Sequence, residues 1–427
     1  MMTKWKMMML GLLPVALVGC SASKAPDVPA TPEKKEPVEI SVAVPGDNYL
    51  TAEEFARYIQ EPIKNKYPYI TVKMIKQGQG NQLENWAASK TIPDILLVPT
   101  FDMNKLYQYG ISYDMEAMAK QYNIDLNRFE NDALQYIRAN SPKNELNAIP
   151  YSMNTAALYY NKDLFDRYAV SYPTDGMTWD QVYEVAKRFN RTDDGVFISG
   201  LKPHLFTMSA SQLSLDFVDR ATGKAKIVTD PWKNFFDQIN RFYLLPGNEA
   251  IVANAGATNM FMKDRSLAML TFTNFISQLG EVKDLNWDMV TLPTWSQAPG
   301  MGLQYEAQAM AITSTSKYKE EAFRVIEVMT SDEVQMAISK LGRAPGVKGQ
   351  TFIDAFGSNL KFNNPVNLKA FFGTKPAKPG YTGENLGVVR DAMVAAQKEM
   401  INGKDIYTAL REAEEKANQQ LDKAPSK

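Results

Sequence analysis

The sequence predicts an α/β protein with a parallel sheet, divided into two or three lobes. The stretch that follows position 37 alternates strand, helix, strand, helix, strand, the order from which parallel sheets with crossover helices are built. The chain has 427 residues, and the roughly 400 that follow an N-terminal apolar run exceed what a single core usually serves. Hydrophobic residues make up 45% and charged residues 22%, the balance of an ordinary globular chain.

The N-terminus carries Lys4 and Lys6, an apolar run from Met7, and then Leu17, Val18, Gly19 and Cys20. A basic start, an apolar middle and a small-residue end predict a cleaved secretion signal over 1–19. Cys20 is the only cysteine, and it falls at the cleavage point. A chance cysteine behind an ordinary signal is the plainer reading. The 17–20 stretch, however, resembles the lipobox of bacterial lipoproteins. That resemblance implies cleavage before Cys20, diacylglycerol on its thiol, and anchorage on the extracellular face of a cell membrane. The run is short for a membrane span, and no later stretch is apolar for long enough. Residues 20–37 hold Pro26, Pro29, Pro32 and Pro37 without apolar periodicity, so they read as a flexible tether. A lipid anchor and long tether fit the outer face of a Gram-positive plasma membrane.

The fold is expected to start with a strand at 38–44, ended by Pro45 and Gly46. A helix over 52–66 follows, with Thr51 as N-cap and Glu54 three residues on, the capping-box spacing. Strand 70–75, helix 82–89 and the wholly apolar strand 95–98 complete the first unit; continuous apolarity suits a strand covered on both faces. Strands at 149–151 and 156–160 break the alternation. A helix over 179–189 is capped by Thr178, and a hairpin is expected over 217–228. A helix over 231–244 has Asp230 as N-cap and Pro231 in its first turn. Short strands follow at 267–270, 288–292 and 309–312, then helices at 318–330 and 331–340, the second with Asp332 and Glu333 in its first turn. The chain closes with helices at 391–402 and 405–421. No internal repeat is present.

Composition and motifs exclude several functions. The net charge is −1, and loss of Lys4 and Lys6 with the signal brings it near −3, so no basic excess exists to neutralise phosphates and nucleic acid is not a partner. One histidine, His204, cannot make a two-histidine metal site. With Cys20 lipidated, no thiol remains for a disulfide, a metal or a nucleophile. No Gly-x-Ser-x-Gly elbow occurs. Gly342 to Lys348 has a phosphate loop's lysine at the wrong spacing, and Gly78-Gln79-Gly80 lacks the third glycine of a dinucleotide loop. Asp193-Asp194-Gly195 lacks the ligand alternation of a calcium loop and reads as a turn. Spacing along the chain does not fix spacing in the fold, so paired carboxylates for glycoside hydrolysis remain open, but nothing points to one pair.

What remains is a set of polar and aromatic residues at strand ends, where open α/β sheets bind ligands. These are Asp47 and Asn48 after the first strand, Gln77 and Gln79 after the second, and Thr100, Phe101 and Asp102 after the third. Amide and carboxylate groups pair well with sugar hydroxyls, and aromatic faces with the C–H faces of a pyranose. Asp47 and Asn48 equally suit a turn, and Phe101 a core position.

Several segments in order resemble the extracellular solute-binding proteins of ABC importers, in the sugar-binding lipoprotein group typified by maltose-binding protein. They are Pro93-Asp94-Ile95; Ile149-Pro150-Tyr151; Tyr160-Asn161-Lys162-Asp163-Leu164-Phe165; Thr178-Trp179-Asp180; Phe261 through Ala268-Met269; Leu292-Pro293; and Ser331-Asp332-Glu333-Val334. Arg265 and Ser266 stand where the pattern has a glycine and a small residue. The resemblance covers 38–421. It implies two α/β lobes with crossing strands and a ligand cleft, as in periplasmic binding proteins. The first lobe would be 38–150 plus 311–355, the second 151–305 plus 356–427, with hinges near 148–151 and 305–311.

Carried over by position, the resemblance adds Tyr151 and Asn154 at the first crossing, Tyr305 and Glu306 at the second, His204 after Lys202-Pro203, Phe275 where a tryptophan is usual, and Arg343. Trp179 is expected to pack at its helix start rather than touch ligand. The implied function is capture of a carbohydrate, an oligosaccharide rather than a monosaccharide, for delivery to ABC permease subunits. The binding protein would be a monomer with no metal, no cofactor and no catalysis of its own. The alternatives are a lipid-anchored glycoside-active enzyme and a sensor lipoprotein that presents its ligand to a receptor.

Overall fold

In the computed structural model the described residues are 35–423, apart from 48, 79, 81, 142, 220, 251–253, 305 and 379–385. All the elements below belong to the unit Pro37–Lys427. The strands in chain order are β1 (Val38–Val44), β2 (Ile70–Lys76), β3 (Ile95–Pro99), β4 (Ile149–Met153), β5 (Ala156–Asn161), β6 (Arg191–Asp193), β7 (Val196–Lys202), β8 (Leu267–Thr273), β9 (Trp287–Thr291), β10 (Met301–Gln304), β11 (Ala307–Ile312) and β12 (Lys375–Ala377).

They form two five-stranded sheets, ordered β2-β1-β3-β11-β4 and β6-β7-β8-β5-β9, with β10 and β12 as a separate pair. In the first sheet β1 runs parallel to β2 and β3, as the strand–helix alternation predicts. The same sheet also carries antiparallel pairs, since β11 runs antiparallel to both β3 and β4. The second sheet mixes a parallel β7–β8 pair with antiparallel β5–β8 and β5–β9 pairs. Consecutive strands β4 and β5 lie in different sheets, as do β9 and β11, so the chain passes from one sheet to the other at 153–156 and returns before 307.

Three large apolar clusters hold these layers, with a small fourth of Ala156, Met208 and Leu292. The first joins Val42 and Val44, Ile95 and Leu97, Ile149 and Met310 to Phe323 and Ile326 of helix Lys319–Met329. The second sheet has a cluster on each face. Leu158 and Tyr160 pack with Trp179, Trp232 and Trp295, while Ala157 and Tyr159 pack with Phe261, Trp287 and Phe371. This alternation along β5 follows from the period of two in a strand and explains why the whole of Ala-Ala-Leu-Tyr-Tyr-Asn is apolar or buried.

Local rules account for most helix starts. Thr51 and Glu54 form the expected capping box. The helix they start runs as α, π and α segments over Ala52–Phe55, Ala56–Gln60 and Glu61–Lys66. Thr178 caps Trp179–Ala186 with Gln181 as the reciprocal partner. Trp179 packs as expected, its indole stacked 5.3 Å from Trp295 and donating to Gln212 Oε1 at 3.0 Å.

Other expectations need correction. Helix Asp230–Asn240 takes Thr229, not Asp230, as its N-cap. The 217–228 hairpin is reduced to one antiparallel bridge, Val218 with Ala225. Its outer edge bonds to a helix instead: Ala225 N–H donates to Asn418, and the Ile227 and Val228 N–H groups donate to the Glu414 carboxylate. The helix expected from 391 begins at Leu386. Strands β6 and β7 were not expected; their segment, Arg191 to Lys202, is half polar at one end and carries no clean alternation.

Candidate functional site

The parallel pairing of β7 with β8 sets Lys202 against Leu270, so the chain leaves both strands on the same side. His204 lies just past β7 and Thr273 ends β8. From the other sheet, β11 begins beside the carboxyl end of β3, with Gln308 in register with Pro99 and the Ala307 N–H donating to Thr100 Oγ1 at 3.1 Å. Glu306 precedes that start. A cavity of about 210 Å³ opens where these ends meet. It is lined by Tyr136, His204, Thr207, Met208, Ser211, Leu215, Phe217, Thr273, Leu303, Gln304, Glu306, Leu386 and Arg390. Tyr136 comes from helix Asn131–Ala139, which packs on β4 of the first sheet. Thr207, Met208 and Ser211 come from helix Phe206–Ser211, which follows β7. The lining therefore draws on both sheets, at the strand ends where α/β folds place ligands.

Its polar groups are held in place. Burial pushes the Glu306 carboxyl above the usual carboxylate range, opposed by hydrogen bonds from Asn154 and Gln304; Asn154 Nδ2 lies 3.4 Å from Glu306 Oε2. Burial, reinforced by the Asp102 and Glu306 carboxylates, drives the Tyr49 hydroxyl well above its ordinary range. Tyr49, Asp102 and Glu306 thus share one neighbourhood. The His204 backbone N–H donates to Thr271 Oγ1 at 3.1 Å, and the ring lies 5.1 Å from Phe272. The Lys202 ammonium donates to the carbonyls of Asn248 and Ala250, and burial pulls its pKa down to about 8. Gln212 donates to the carbonyls of Pro293 and Met301, both at 2.8 Å, which fixes the start of β10 against helix Phe206–Ser211.

Burial lowers the His204 pKa to about 4 from 6.5, which predicts a pH effect on stability. The unfolded chain takes up a proton on this ring between those values while the folded chain does not. Stability is therefore complete above pH 6.5 and falls as the pH drops toward 4, by up to about 3 kcal/mol. Melting curves from pH 7 to pH 4 should show a loss in wild type that is smaller in His204→Gln; equal losses would contradict the assignment.

The structure scatters the residues singled out in the sequence. His204 and Glu306 line the cavity. Asn154 reaches Glu306 by side chain and by backbone, its N–H donating to the Glu306 carbonyl at 2.8 Å. Asp102 lies near Tyr49 and pairs with Lys105 at 3.1 Å. Asp47 pairs with Lys76 at 2.6 Å across the ends of β1 and β2, exposed and outside the cavity lining.

Tyr151 is wholly buried, donating to Gln308 Oε1 at 2.9 Å, and is a core residue. Phe275 is also core, edge-on to Tyr159 at 4.6 Å, because its position follows β8 on the face that meets the Trp287 cluster. Arg343 is taken by Glu54, with both carboxylate oxygens 3.1 Å from Nη2. Asn48, Gln79, Tyr305, the lipidation candidate Cys20 and the Phe101 side chain lie outside the described residues.

Sequence reasoning missed Thr207, Ser211 and Thr273, which proximity to His204 and Phe275 could have suggested. It also missed Tyr136 and Arg390, which reach the cavity from distant helices with no local signal. Among the described residues no group of three or more His, Cys, Asp or Glu side chains is placed to hold a metal, and no helix is long and apolar enough to cross a membrane.

Two α/β sheets joined by crossing segments, with a cavity at their facing strand ends, define a two-lobe binding-protein fold. The chain belongs to the bacterial extracellular solute-binding protein family, whose pattern matches residues 51–336. Among solved structures it is similar to an ABC substrate-binding protein from Listeria monocytogenes in complex with cycloalternan, with TM-score 0.74 and 17% identity over 91% of this chain and 100% of that one. It is also similar to a sugar transporter from Rhizobium etli in an open conformation, with TM-score 0.71 and 17% identity over 89% and 99%. A third is the sugar-binding protein MalE from Xanthomonas citri, with TM-score 0.71 and 15% identity over 90% and 98%.

Proposed function

We propose that this chain is the substrate-binding component of an ABC importer and that its cargo is a carbohydrate, an oligosaccharide rather than a single sugar. The observation that carries the reading is the interlobe cavity. Its walls combine hydroxyls (Tyr136, Thr207, Ser211, Thr273), a carboxyl (Glu306), a guanidinium (Arg390) and apolar side chains (Met208, Leu215, Phe217). Such a mixture suits a ligand that is polar at its rim and apolar on its C–H faces. The neighbours described with cycloalternan or as sugar-binding support the same class.

The two lobes are built on the two sheets, with hinges where the chain crosses at 153–156 and returns before 307, the first of them somewhat later than the 148–151 expected from the sequence, and the ligand shifts them toward a closed arrangement. Cys20, as the lipid-modified first residue after signal cleavage, keeps the protein at the extracellular face of the membrane, beside the permease subunits that accept the cargo. The protein does no chemistry on the cargo and acts as a monomer.

A thermal-shift screen of the purified chain against oligosaccharides, monosaccharides, amino acids, peptides and metal ions tests the ligand class. Ligand at a hundred times its Kd adds about 2.7 kcal/mol of stability. A rise confined to an oligosaccharide series supports the reading, and a rise confined to peptides or ions overturns it. Deletion of the gene tests the role: lost uptake supports import, and intact uptake with lost induction supports sensing instead.

A further inference from the structure

A second cavity, of about 260 Å³, lies on the other side of the Leu303–Gln304 segment, which lines both. Its walls mix polar and apolar groups as those of the solute cleft do, with Glu130, Asn154, Lys348 and Thr374 beside Met153 and Ile353. It also draws on both halves, since Val347 belongs to the core of the first sheet and Phe371 to that of the second. The partition between the two cavities has a polar and an apolar part. In the polar part, Asn154 lines the second cavity and Glu306 the solute cleft, with Asn154 Nδ2 3.4 Å from Glu306 Oε2. The apolar part is the Leu303 side chain, packed against the cluster of Ala156, Met208 and Leu292. Ala156 and Leu292 line the second cavity and Met208 the solute cleft, so Leu303 is wedged between the two.

The backbone that carries Leu303 is pinned. Strand β10 pairs with β12, and the Met301 carbonyl accepts from Gln212 at 2.8 Å. Gly302 lies so close to Thr374 that a Cβ there would collide with its Oγ1. The strand is therefore not free to swing aside, and the side chain at 303 decides whether the cavities communicate. We infer that Leu303 sets the length of the cargo. Its side chain stops the sugar chain at the end of the solute cleft, and a smaller side chain there lets the chain run on into the second cavity. That cavity offers the next sugar unit the same mixture of polar and apolar walls, so the limit comes from the wedge and not from the space behind it.

The inference rests on the carbohydrate reading and adds a length limit to it. Calorimetry with linear oligomers of glucose, xylose and mannose, from the dimer to the heptamer, tests it. In wild type, affinity should rise with chain length and then level off. In Leu303→Ala the plateau should move to longer members, and the longest should bind about tenfold more tightly than it does to wild type, while the dimer changes by less than about twofold. Leu303→Ala combined with Ile353→Trp, which fills the second cavity, should lose that gain. Circular dichroism establishes that each variant is folded before its titration is read. Leu303→Val, a smaller trim, should show the same trend to a lesser degree and replaces the alanine variant if that one does not fold. Identical length profiles in wild type and the Leu303 variants overturn the inference, and so does a gain that survives Ile353→Trp. Binding of no oligomer to wild type also overturns it, at the level of the cargo class, and is told apart because it needs no variant.

Discussion

Replacing Glu306 by alanine is expected to weaken solute binding by about 10- to 150-fold while leaving the chain folded. The carboxyl sits on the cavity wall at the start of β11. Burial already disfavours its charged form, and only amide groups, from Asn154 and Gln304, offset that. A ligand hydroxyl can donate to this oxygen, and loss of a hydrogen bond to a carboxylate costs roughly 1.5–3 kcal/mol. The fold should survive because the crossing is held by backbone: the Asn154 N–H to the Glu306 carbonyl at 2.8 Å, and the Ala307 N–H to Thr100 at 3.1 Å. Titration calorimetry alongside a urea melt separates the two quantities. Unchanged affinity would remove Glu306 from the site. A large fall in melting midpoint would make it a structural residue.

The second large effect concerns Gly346. The 344–347 segment lies against β4: Ser152 Oγ donates to the Ala344 carbonyl at 2.8 Å, and the Gly346 N–H donates to the Tyr151 carbonyl at 3.1 Å and to Gln335 Oε1 at 2.8 Å. A Cβ on Gly346 would stand 2.6 Å from the Tyr151 carbonyl carbon and 2.7 Å from the Pro150 oxygen. Both neighbours are backbone in a buried strand and cannot yield as a flexible side chain would. Gly346→Ala should therefore cost about 2–3 kcal/mol, as overpacking does. Gly387→Ala is the control, since nothing lies within 4 Å of its Cβ and it is in helix Leu386–Ile401; it should be neutral or stabilising by up to about 1 kcal/mol. Equal urea midpoints for Gly346→Ala and wild type would mean that the segment shifts freely, contrary to its bonding.

The sequence made the local features legible and left the assembled ones obscure. Capping at Thr51 and Thr178 needs only neighbours three residues apart, and both capping boxes are present. The parallel β1, β2 and β3 follow from strand–helix alternation. That β11, more than two hundred residues later, inserts between β3 and β4 has no local signature, because antiparallel insertion depends on the whole path of the chain.

The site shows the same division. His204 and Glu306, singled out because each lies next to a strand end or a crossing, both line the cavity. Tyr136 and Arg390 meet them only through the packing of helices far apart in sequence. Phe275 and Tyr151 are buried for a physical reason: a large aromatic beside a strand end fits a stacking surface or a core equally well by sequence, and here both pack in the core.

The central claim is that the cavity between the lobes holds a carbohydrate. It is tested most directly by calorimetric titration of the purified chain with a graded series of oligosaccharides, in wild type and in His204→Ala. The account predicts saturable binding to at least one series, stronger for longer members than for the monosaccharide, and clearly weakened by His204→Ala. Saturable binding of an amino acid, peptide or metal ion with no response to any sugar would contradict it, as would sugar binding indifferent to His204.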